Sequence, residues 1–207
     1  MIHFFGDSFT YGQGCTSDHE YYKRTYNGTQ KTWVELVSEH IGDIHLNYGN
    51  PGGGNDKILD TLQKNLFRIK SNDIVFLSRT HDERLQTPYE NSGFKDIIPG
   101  MLMNNNEVYD MINEHDYYQS IENYIKFVNF PNFNAIKNRF DVLYISYHRF
   151  FEENNIKCIQ WRVDDHTLDN DGNAKYSIIS DEIPEINDSH WSWKGHHEFF
   201  NFIKNEL

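Results

Sequence analysis

At 207 residues the chain is long enough for one domain with a sizeable core, and a single domain over 1–207 is expected. Its 31 acidic residues outnumber 19 basic ones, and the formal net charge of -12 argues against a nucleic-acid backbone or an anionic membrane as main partner, because either needs a basic face. No basic-then-apolar leader opens the chain and no run approaches the ~20 apolar residues of a membrane span, so a cytoplasmic location is expected, with Cys15 and Cys158 as reduced thiols.

The first element is the apolar run Ile2 to Phe5, a buried strand that stops abruptly at Gly6-Asp7-Ser8-Phe9-Thr10-Tyr11-Gly12. Lys31 to Ile41 follows with Trp33, Leu36, Val37 and Ile41 at helical spacing. A second strand, Ile44 to Tyr48, runs into Asn50-Pro51-Gly52-Gly53-Gly54-Asn55-Asp56, and Asp56 to Ile69 is again helical through Ile58, Leu59, Leu62, Leu66 and Ile69. The third strand, Asp73 to Leu77, ends in Ser78-Arg79-Thr80-His81-Asp82-Glu83.

The alternation then breaks. An aromatic-rich excursion, about 84–155, reads as a helical insertion, with helices over Tyr118 to Phe127 and Ala135 to Glu153. Ile156 to Val163 resumes the strands, Asp169 to Asn173 reads as a turn, and a helix from about Gly195 to Leu207 closes the chain. Strands alternating with helices predict an α/β domain, a parallel sheet covered on both faces.

Ligands bind such sheets beyond the carboxyl ends of the strands, where the unusual stretches all fall. A serine hydroxyl needs a base in reach, itself oriented by a third group. For Ser8, His190 and Asp188 can supply both, because the carboxylate can curl back to Nδ1 and leave Nε2 facing the hydroxyl. Backbone N–H groups of Ser8 and of the glycine loop, Gly52 first and Gly53 second, suit a developing oxyanion.

These residues resemble the blocks of the SGNH hydrolase superfamily, the GDSL-type lipases and esterases. Gly6 to Gly12 matches the first block, with Ser8 as nucleophile; Asn47 to Asp56 resembles the second, whose glycine donates to the oxyanion. Asp188-Ser189-His190 with Ser192 and Gly195-His196 resembles the last, which supplies acid and base. The third block departs from the pattern. Where the family has Gly-x-Asn-Asp the chain reads Arg79-Thr80-His81-Asp82, so His81 stands in the asparagine position, and a neutral imidazole can still donate one hydrogen bond there.

The resemblance implies a three-layer α/β/α, flavodoxin-like fold and a carboxylic-ester hydrolase acting on a small acyl or acetyl ester, including acylated carbohydrates. Catalytic residues would be Ser8, Asp188 and His190, with Ser8, Gly52 and His81 around the oxyanion and Tyr11 and Trp191 against substrate. An acyltransferase on the same site is the first alternative. The second is a module binding phosphate or flavin through Ser8, Thr10 and Gly12, which leaves Asp188 and His190 unexplained. No histidine spacing suits a metal, and neither metal nor cofactor is expected.

Overall fold

A computed structural model describes residues 1–13, 31–80, 85–89, 93–97, 133–163, 175–176, 191 and 193–207. In chain order its elements are β1 (Ile2–Gly6), α1 (Ser8–Tyr11), α2 (Trp33–Ile41), β2 (His45–Gly49), α3 (Asn55–Asn65), β3 (Ile74–Arg79), β4 (Leu85–Tyr89), β5 (Gly93–Ile97), α4 (Phe133–Glu153), β6 (Lys157–Val163), β7 (Lys175–Tyr176) and α5 (Trp193–Ile203). Single 3-10 turns, Leu66–Arg68 and Lys204–Glu206, extend α3 and α5.

β1 is buried along its whole length because it lies inside a parallel sheet, with β2 on one side and β3 on the other. β6 pairs with β3 and β7 with β6, both parallel, so the order is β2-β1-β3-β6-β7. The chain thus reverses its direction of winding between β1 and β3. In such a sheet the carboxyl ends of the strands at a reversal of this kind are the usual place for a ligand.

Alternation along the strands sorts the core into two layers. Phe5, Val75 and Leu77 face α3 and α4 and pack with Ile58, Leu62, Phe140, Tyr144 and Phe151. Ile2, Phe4 and Phe76 face α2 and α5 and pack with Trp33, Val37, Trp161, Phe199 and Ile203. The result is the expected α/β/α sandwich. Trp33 centres the second layer, with Phe4, Phe199 and Trp161 edge-on at 5.1, 5.0 and 5.5 Å between ring centroids.

Local signals fix the element ends. Thr32 and Glu35 form a reciprocal capping box at the start of α2, the Glu35 carboxylate accepting from Thr32 N at 2.7 Å, and Gly42 ends the helix with φ +75°. The excursion after β3 differs from the helical expectation at its beginning: β4 and β5 pair as an antiparallel hairpin. Thr87, Tyr89, Phe94 and Ile97 flank Asn91-Ser92-Gly93, a β-rich composition around a turn signal. Its end is the helix α4, as expected, whereas Tyr118 to Phe127 and Asp169 to Asn173 lie outside the described residues. No described helix is long and apolar enough to cross a membrane.

Candidate active site

Ser8 opens a single helical turn at the end of β1. Asp7 is its N-cap, with Oδ1 accepting from Phe9 N at 3.1 Å, and Gly12 closes it in the left-handed region at φ +90°, its N–H donating to Ser8 O. Two other glycines let this turn sit where it does. A Cβ on Gly6 would stand 2.0 Å from Thr10 Oγ1 and 2.3 Å from Ser78 Oγ, and one on Gly49 would stand 2.2 Å from Tyr11 N. At Gly49 backbone therefore packs on backbone, and Asn47 Nδ2 adds a hydrogen bond to Thr10 O at 2.9 Å. Ser8 is buried, and its Oγ has no hydrogen-bond partner among the described residues.

The glycine loop is built on the neighbouring strand end. Asn50 N donates to Gly6 O at 2.9 Å, and Gly53 N donates to Asn50 O at 3.0 Å across Pro51 and Gly52. Proline followed by a glycine at φ +73° is the type II pattern, in which the N–H of the third residue is not used by the turn itself. Gly52 is thus anchored at the carboxyl end of β2, beside β1, with an N–H left to bind elsewhere.

Behind this loop Asn55, the first residue of α3, is fully buried and turns its amide to the end of β3. Its Oδ1 accepts from Thr80 N at 2.9 Å and its Nδ2 donates to Thr80 O at 3.0 Å. The Tyr144 hydroxyl from α4 lies 2.8 Å from Ser78 O and 3.2 Å from Asn55 Oδ1. Arg79 pairs with Asp141 and places its guanidinium over the Tyr144 ring. Sequence reasoning missed Asn55 and Tyr144. The run of three glycines ending at Asn55 was the available signal for the first; Tyr144 has only a helical core spacing.

The chain near the C-terminus reaches the same region. Trp191 is 1% exposed, and its ring lies 4.8 Å from that of Phe9, the residue after Ser8. Trp161 and Phe199 enclose it further, at 6.0 and 5.1 Å. Where Trp191 was expected against substrate, the structure packs its ring against Phe9, Trp161, Phe199 and His196. Trp193, 42% exposed, and Tyr11, 36% exposed, keep accessible surface.

His196 is buried, and its Nδ1 accepts from Trp33 N at 3.3 Å, while Trp33 Nε1 donates to Phe9 O at 3.0 Å. The start of α5, the start of α2 and the turn at Ser8 are thereby tied together. His81, Asp188 and His190 lie outside the described residues, as do Asp82, Glu83 and Cys15. Burial pushes the Cys158 thiol up to about 12, with the Glu152 charge adding to it, so this sulfur is no nucleophile near neutrality. Among the described residues no three His, Cys, Asp or Glu side chains gather as a metal site.

No family model matches the chain, and no curated protein matches it. Among solved structures it is similar to a protein from Desulfitobacterium hafniense DCB-2 assigned provisionally to the lipolytic G-D-S-L family. The TM-score is 0.37 at 13% identity, over 100% of this chain and 98% of that one.

Proposed function

We propose that this chain is a serine hydrolase that cleaves a small acyl or acetyl ester through an acyl-enzyme on Ser8. The observation that carries the reading is the contact of Phe9 with Trp191, the residues that directly follow Ser8 and His190. Two chain positions separated by almost the whole sequence meet one residue away from the proposed nucleophile and its base. A buried serine hydroxyl without a partner among the described residues, at the winding reversal of a parallel sheet, supports the same reading.

In this mechanism His190 Nε2 takes the Ser8 proton as Oγ attacks the ester carbonyl. Asp188 holds the imidazole by Nδ1 and stabilises the imidazolium. The oxyanion is met by the N–H groups of Ser8 and Gly52 and by His81. Collapse of the tetrahedral intermediate breaks the bond to the alcohol oxygen, which leaves with the proton from His190. Water, deprotonated by the same imidazole, then attacks the acyl-enzyme, releasing the acid and returning the proton to Ser8.

Fluorophosphonate labelling tests the reading directly. The adduct is expected on Ser8, lost in Ser8→Ala and slowed in His190→Ala, with p-nitrophenyl acetate turned over faster than long-chain esters. His81→Ala is expected to lower turnover about 100-fold or more, the scale of one lost oxyanion donor. A wild-type protein that neither labels nor turns over any ester of the panel would overturn the proposal.

A further inference from the structure

The amide of Asn55 bridges two loops that follow different strands, and its placement is unusual for a residue at the first position of a helix. An asparagine there ordinarily turns its side chain to its own helix's free N–H groups or to water. Here α3 has no side-chain cap, and both ends of the Asn55 amide are spent on Thr80, one on its N–H and one on its carbonyl. A buried carboxamide that accepts from the N–H and donates to the carbonyl of one residue holds the two peptide groups flanking that residue in position and orientation together. Tyr144 reinforces the lock from a third element, its hydroxyl reaching both Asn55 Oδ1 and Ser78 O.

What the lock joins matters. Asn55 terminates the loop carrying Gly52, whose other end is held by Asn50 N on Gly6 O, two residues before Ser8. Thr80 directly follows β3 and precedes His81 in the chain. We propose that Asn55, braced by Tyr144, is a positioning residue that sets the glycine loop and the end of β3 in one register around Ser8. This rests on the hydrolase reading for its catalytic meaning, but the lock itself is independent of it. Oxyanion donors act only when held at hydrogen-bond distance from the developing charge, and a displacement of about 1 Å at such a site costs up to ~100-fold in rate.

Two near-isosteric variants test the inference. Asn55→Leu keeps the shape of the side chain and removes both hydrogen bonds to Thr80; Tyr144→Phe keeps the ring and removes only the hydroxyl, so it serves if the first does not fold. Each is measured well below its melting temperature for kcat and KM on p-nitrophenyl acetate, for fluorophosphonate labelling of Ser8, and for hydrogen exchange of the Thr80 amide. The expected result is faster Thr80 exchange with kcat and labelling down about tenfold or more and KM within about twofold. Folded variants with faster exchange but unchanged kcat would overturn the positioning role, and unchanged exchange would overturn the lock. If wild type neither labels nor turns over ester, the hydrolase reading fails on its own. Thr80 exchange in the variants then decides the lock alone.

Discussion

Glycines at Gly6 and Gly49 matter through what their missing side chains admit. The turn that presents Ser8 lies against the backbone of β2 so closely that a methyl group on Gly49 would meet Tyr11 N and Cα at 2.2 and 2.6 Å. These are main-chain atoms, so no rotamer change relieves the overlap. Gly49→Ala is expected to cost about 1–3 kcal/mol, the range for overpacking a rigid site, and to shift the Ser8 turn. Urea denaturation would show the loss, and fluorophosphonate labelling of the folded fraction should slow with it. A midpoint equal to wild type would show that the two backbones separate without cost.

Helix α2 illustrates how an element's local chemistry serves a distant site. Thr32 and Glu35 cap it reciprocally, which sets where Trp33 begins, and Trp33 in turn donates to Phe9 O and to His196 Nδ1. Thr32→Ala removes one acceptor from the helix start and is expected to lower stability by about 1 kcal/mol, read as a shift in the urea midpoint. Trp191 belongs to the same aromatic layer. Trp191→Ala should cost about 3–5 kcal/mol, the range for deleting a fully buried aromatic side chain, whereas Trp193→Ala, on an exposed ring, should stay within about 0.5 kcal/mol. Equal effects would contradict the different burial of the two rings.

For the whole molecule, acid sensitivity is the informative property. His3 lies inside β1 with its ring stacked near Phe5 and Tyr48, and Nε2 is 3.1 Å from Asp73 Oδ2. Burial holds this imidazole below the ordinary histidine value, more strongly than Asp73 raises it, and the Met1 ammonium and Arg68 also disfavour its charged form. The unfolded chain then binds a proton that the native state refuses, so stability falls as pH drops below ~6.5 toward the folded value. Urea midpoints at pH 7 and pH 5 should differ, and the difference should shrink in His3→Gln. An unchanged difference would assign the acid sensitivity to other groups.

The short apolar runs, the helical spacings and the glycine and proline signals are properties of neighbouring residues. They were enough to determine β1, β2, β3 and β6 within a residue or two, and the helices around them. The hairpin of β4 and β5 escaped because its strands are short and lie in a segment judged by its helical end. What only the tertiary structure decided were partnerships between distant segments: Gly49 against Tyr11, the Asn55 amide against Thr80, and the burial of Trp191 beside Phe9. An exposed aromatic and a core aromatic read alike in the chain, because burial depends on which other segments close over the ring. Likewise nothing local sets apart the asparagine after three glycines, and only the residue after β3 lying within hydrogen-bond reach turns its amide into a bridge between two loops.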